Sequence, residues 1–241
     1  MASARLRPQA PRLGAAAREA AVDFYFNSWR LVPANLVWGA GFILLLLAAA
    51  AWPAAVLASP LLALPTVGIF RLAALIARGE SVALSDGFDA WRRFGTRALA
   101  VGAALLLCFA VFGTNVVLGL IGGGVVGWSL ATLAAWGFAA AAMSACVLWP
   151  LLVDPRREGT ALRETLRLGL LLVVAFPLRF GALVLLVGAI LAVSTVAFAA
   201  VATVSVSYVA LVAARYVLPA ADRFSPPPDS LPTAPREPER P

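Results

Sequence analysis

Arg71 is the side chain in this sequence best placed to do chemistry. It stands inside an apolar run, Val56–Ala77, shortly before Arg78-Gly79-Glu80. A guanidinium stays charged at every physiological pH, so within a bilayer it must find water or an acceptor. Roughly 10 Å of helix separates it from Arg78, close enough to snorkel to the boundary. The other structural outcome is an ion pair with an acid at that depth. Asp86, Asp89, Asp154, Glu158 and Glu164 all lie there, and Asp154, which ends a later apolar run, is the expected partner. A third reading gives Arg71 to a solute or partner site.

The connector that follows, residues 79–96, carries Leu84, Phe88 and Trp91 at helical spacing on one face. Asp89 and Arg93 stand four apart and are expected to pair on the other. Ser85 or Asp86 is the expected helix cap. Arg71, Asp154, Trp91, Phe88 and Arg93 are therefore the candidate structural or interaction residues.

Other chemistry lacks its parts. The chain has no histidine, so HExxH cannot occur, and it has no GxSxG. No catalytic, cofactor-binding or metal residue is expected, and the chain is read as a non-enzyme. Cys108 and Cys146 lie in apolar runs and are expected to be small core residues rather than zinc ligands. No acid lies deep in any apolar run, which argues against a midplane carboxylate relay. Thr114, Asn115 and Ser144 are polar groups at membrane depth, expected to hydrogen-bond between helices. The glycines at 119, 123 and 127 suit either a tight turn or a close helix contact. They are not a phosphate loop, because no GK[ST] follows.

The elements that position these residues are membrane helices. Hydrophobic residues make up 62% of the 241-residue chain and mean hydropathy is +0.91, far above a soluble domain. At about 20 residues per span there is room for about five to seven spans. The expected architecture is an all-α polytopic bundle of six spans with two amphipathic cytoplasmic connector helices. Residues 1–13 are read as a disordered arm, 14–223 as the helical membrane domain and 224–241 as a disordered Pro-rich tail.

Residues 14–32 carry Val22, Tyr25, Phe26 and Trp29 on one face. They form either an interfacial helix or the start of the first span, Ala34–Trp52. Trp52, Pro53 and Pro60 reverse the chain, and Pro65 is expected to kink the second span. The third and fourth spans are Ala98–Ile121 and Val125–Val153. The second connector, residues 156–179, frames Leu168–Phe176 with arginines, and this middle is too short to cross. The apolar residues 180–218 would make one helix nearly twice the membrane thickness. They are therefore folded into two spans with a turn near Ser194–Thr203.

The net charge of +7 comes from arginine alone, 19 residues without a lysine. The arginines fall in alternate loops and at the two ends, so topology explains them better than nucleic-acid binding does. Six spans put every arginine-bearing segment on one side, which the positive-inside rule makes cytoplasmic. Five spans would strand the C-terminal arginines outside and rank lower.

The order of several short motifs resembles the YesL-like family of bacterial integral membrane proteins. They are Asn35-Leu36-Val37-Trp38, Pro65-Thr66 with Arg71 and Arg78-Gly79-Glu80, and the aromatic–basic run Phe88–Phe94. Trp149-Pro150 and Phe176-Pro177-Leu178 complete the set. The resemblance implies a multi-pass protein of the bacterial plasma membrane, found beside carbohydrate uptake systems and without assigned activity. The expected function is a non-enzymatic accessory or interaction protein, partnered by the lipid bilayer and a carbohydrate transport system. The alternative is a small-solute transporter or channel. The connector around Glu164, Gly169 and Pro177 also has a faint likeness to the loop by which transport permeases engage their ATPase.

Overall fold

The computed structural model describes residues 12–196 and 200–225, and they form an all-α bundle. The expected disordered arm and tail lie mostly outside those residues; helix already begins at Leu13 and runs through Phe224. Helix α1 spans Leu13–Ala51, a 3-10 stretch Pro53–Leu62 leads into α2 at Ala63–Arg78, and α3 spans Leu84–Gly122. Helix α4 is Gly124–Leu152. A short 3-10 turn, Pro155–Arg157, precedes α5 at Leu162–Ala175, α6 at Pro177–Val196 and α7 at Val206–Phe224. A π-helical turn, Val201–Ser205, opens into α7.

Among the described residues, six segments are long and apolar enough to cross a membrane: α1, the 3-10 stretch with α2, α3, α4, α6 and Thr203–Phe224. The chain is a multi-pass membrane protein. Helix α5 covers about 21 Å of rise, short of the roughly 30 Å of a hydrocarbon core. Of the turn expected at Ser194–Thr203, residues 197–199 lie outside the description, while 194–196 and 200–203 are helical. Even so, the Ser205 hydroxyl donates to the Ser194 hydroxyl at 2.6 Å. A straight helix would hold those two residues about 16 Å apart, so the chain reverses between them.

One expected connector is part of a longer helix, and of the two readings of residues 14–32 the start of the first span holds. Residues 14–32 continue without a break into the first span, and 84–96 into the third. No proline stands between Phe94 and Ala98, and the one glycine there, Gly95, is buried against Leu64, so α3 runs through the boundary for 39 residues. Of the two expected caps it is Asp86 that acts, from inside the first turn: it accepts at 2.7 Å the backbone N–H of Ala83, which occupies the N-cap position. Pro65 does not kink a helix interior. It sits in the first turn of α2, where a missing N–H costs no helical bond. The strain of proline falls upstream, where Pro60 lies inside a ten-residue 3-10 stretch.

The core gathers on α2 and α7. Val67, Ile69 and Leu72 from α2 meet Leu211, Val217 and Leu218 from α7, with Leu31, Leu151 and Phe180 around them. Lipid tails are as apolar as these side chains, so close packing and polar bonds stabilise the bundle more than water exclusion does. One such bond is fully buried: Asn35 Oδ1 accepts from the Ser207 backbone N–H at 2.8 Å and from its hydroxyl at 3.1 Å. A second joins Trp38 Nε1, as donor, to the Thr66 hydroxyl at 2.9 Å. Asn115 does not bridge helices as expected; its amide donates to Val111 O in its own helix.

Glycine decides two helix contacts. Gly119 and Gly127 let α3 and α4 touch backbone to backbone beside the turn at Gly123, which adopts φ +61°. The four-residue spacing therefore serves both as turn and as contact. Gly68 lies directly under α3, where a Cβ would stand 2.7 Å from Gly87 O and from Trp91 Nε1.

Two exposed tryptophans bracket the first span. Trp29 and Trp52 on α1 are 62% and 68% exposed, separated by about 35 Å of helix. That matches a hydrocarbon core flanked by its interfaces, where tryptophan concentrates.

Candidate functional site

The charged side chains collect at one end of the bundle, where α2 and α4 finish, α3 and α5 begin and α7 ends. Gly79, at φ +73°, closes α2 there: its N–H and that of Glu80 return to Ile76 O and Leu75 O, both at 3.0 Å. The last side chain of that helix is Arg78, and its guanidinium is only 6% exposed.

Arg78 grips two acids from distant parts of the chain. It donates through Nε and Nη2 to both oxygens of Asp154, at 3.0 and 2.6 Å. Asp222, near the end of α7, accepts from Nη1 and Nη2 at 2.5 and 3.0 Å. Arg157 joins the same acids, 3.4 Å from Asp154 and 3.2 Å from Asp222, and also donates to Ser225 O. Asp154 is fully buried, and its Oδ1 also accepts the Arg156 N–H at 3.2 Å, capping the 3-10 turn. Two buried arginines thus share two carboxylates, and the half-exposed Arg156 adds a longer contact to Asp222 at 3.7 Å. Forked arginine–carboxylate bonds of this kind are the strong ones.

Arg71 is paired, but not with Asp154. It forms an ion pair with Glu158 and donates to Val153 O at 2.9 Å. Its guanidinium carbon also lies 5.8 Å from the Phe94 ring centroid. The expected Arg71–Asp154 pair fails because Arg78, at the end of the same helix, takes Asp154 with a closer fork. The 3-10 turn then brings Glu158 back over Arg71. Arg93 reaches Glu158 as well, at 3.0 Å, rather than Asp89. Glu158 therefore ties α2 to α3 through two arginines.

The connector aromatics separate. Phe88 is 44% exposed, whereas Trp91 is half-buried against the core beside Gly68. Their rings meet edge to face at 5.1 Å. On α1 the aromatic face of Tyr25, Phe26 and Trp29 is exposed, and the polar flank turns inward, where Asp23 accepts from Arg215 at 2.7 Å. Gly169, in the stretch with a faint permease likeness, is buried; a Cβ there would stand 2.7 Å from Leu148. Close packing of α5 on α4 accounts for that glycine.

Asp222 and Arg157 were not among the candidates. No local pattern marks them, since Asp222 lies 144 residues from Arg78. Among the described residues no group of three histidine, cysteine or acidic side chains gathers as a metal site. What the arrangement does chemically is latch helix ends.

The Glu158 arm gives a testable difference. Glu158→Ala strands Arg71 and Arg93 and is expected to lower stability by about 1.5–3 kcal/mol, the range for charged hydrogen bonds. Adding Arg71→Leu should recover part of the loss, read as the thermal midpoint in detergent. An unchanged midpoint for Glu158→Ala would show Arg71 to be held by water instead.

No protein-family model, curated protein or solved structure matches this chain.

Proposed function

We propose that this protein is a non-enzymatic accessory or interaction protein of a bacterial plasma membrane, linked to carbohydrate uptake, with both termini in the cytoplasm. The carbohydrate link and the compartment rest on the motif resemblance to YesL-like proteins. The orientation rests on arginine, which concentrates at the latched end. The observation that carries the interaction reading is Phe88, an exposed aromatic fixed on that end by the packed Trp91 beside it. Rigid exposed aromatics flanked by arginine are the usual anchors of protein contacts, and Arg92 and Arg93 are both exposed there.

A small-solute transporter is the other reading. It needs a free polar group on a pathway through the bundle. Arg71, the best candidate, already has Glu158, Val153 O and the Phe94 face as partners, which favours the accessory reading.

The test places a photo-cross-linking residue at Phe88 or at Val125, at opposite ends, in the native membrane. Phe88 is expected to capture a carbohydrate-transport permease or its ATPase, and Val125 is expected to capture neither. An impermeant quencher added to inside-out vesicles should reach the Phe88 probe alone. Capture at neither position together with sugar-dependent flux by the purified protein would overturn the reading.

A further inference from the structure

An apolar groove of about 320 Å³ runs between α3 and α4 on the outside of the bundle. Its walls include Val101, Cys108 and Phe112 from α3, Ala140 and Leu148 from α4, and Leu166 from α5. From Val101 to Phe112 the groove follows about 16 Å of helix. A hydrocarbon core is about 30 Å thick, so the groove matches a single leaflet in depth. Its deep end closes where Phe112 packs on Gly137, with no room for a Cβ. Its mouth lies at the charged end of the bundle.

Arginine stands beside that mouth. Arg97 stands one turn before Val101 on α3 and donates to Thr160 O at 3.1 Å, which fixes it beside the start of α5. Arg163 stands one turn before Leu166 on α5 and is exposed. Among the described residues it has no acid within 4.0 Å, whereas Arg71, Arg78, Arg93 and Arg157 at this end are ion-paired. Its neighbour Glu164 lines a separate cleft with Arg157, Arg167 and Phe224. The exposed face of α5 continues from Arg163 into Leu170 and Val174. A helix that is cationic at one end and apolar at the other suits the headgroup–acyl boundary.

We propose that this groove binds one anionic phospholipid. One acyl chain lies along Val101, Ala104, Cys108 and Phe112, and the phosphate is held by Arg163 with Arg97 behind it. Charge complementarity selects the headgroup, because basic sites between membrane helices at an interface take anionic lipids. The match of groove length to one leaflet selects a lipid over a soluble phosphate.

The experiment uses the purified full chain in detergent. Phosphatidylglycerol or phosphatidylcholine with identical acyl chains is titrated in, and retained lipid is counted by native mass spectrometry. One phosphatidylglycerol is expected to remain per chain. Arg163→Gln is expected to weaken its retention about fivefold, from about 1 kcal/mol per arginine at an anionic surface. Ala104→Phe, which fills the groove at an exposed position, should abolish retention of both lipids while leaving the thermal midpoint of the lipid-free protein unchanged. Equal retention of the two lipids by the parent would overturn the proposal. So would retention that survives Ala104→Phe, displacement by glycerol phosphate at the concentration of the lipid, or a dimer mass without bound lipid.

Discussion

Asp154→Ala is expected to destabilise the bundle by about 3–5 kcal/mol, the cost of removing one partner from a buried pair. The carboxylate is fully buried and receives both Arg78 and Arg157. Its loss leaves two buried guanidiniums with Asp222 alone to share, and it uncaps the Pro155–Arg157 turn that leads to Glu158. The thermal midpoint in detergent should fall further than for Glu158→Ala, because Glu158 is partly exposed and water can replace it. Asp154→Asn keeps the shape but not the charge and should fall in between. The double change Asp154→Ala with Arg78→Leu should be less harmful than Asp154→Ala alone, since the stranded charge goes too. If Asp154→Ala matches the parent, the arginines are solvated in the folded protein and the latch does not exist.

Gly119→Val carries the second large effect, at the opposite end. A Cβ on Gly119 would stand 2.6 Å from Gly127 O and 2.7 Å from Ala131 N. These are backbone atoms of α4 and cannot rotate away, so α3 and α4 must separate. Overpacking costs about 1–3 kcal/mol in well-packed cores, and backbone obstruction belongs at the upper end. Gly188→Ala in α6 is the contrasting change. Nothing lies within 4 Å of its added methyl, so helix propensity alone acts and stability should rise by about 0.5–1 kcal/mol. Thermal midpoints of the two variants that move in the same direction would defeat the argument from glycine contacts.

The spans were legible because hydrocarbon thickness sets a minimum apolar length that composition alone reveals. Helix α5 was legible for the converse reason: Leu168–Phe176 is too short to cross. The fusion of the Phe88 segment with the third span was hidden in plain view. Hydropathy changes at Ala98, but the helix does not, since a change of polarity does not break a backbone, no proline stands there and the single Gly95 costs only about 1 kcal/mol.

The partners of the arginines were not legible. Arg71 and Arg78 lie nearly on one face of α2, and five nearby acids were equally available by sequence position. Which acid meets which arginine depends on how α2 is rotated, on the turn after Leu152 and on the arrival of α7 with Asp222. Those are consequences of packing among helices far apart in the chain. By itself the sequence determined that this is a helical membrane protein with its arginines gathered at one end, because transfer of apolar and charged groups between water and lipid is a property of single residues. Only the tertiary structure decided that Asp154 serves Arg78, that Glu158 serves Arg71 and that α3 and α4 leave a groove between them, because pairing and shape are properties of surfaces brought together.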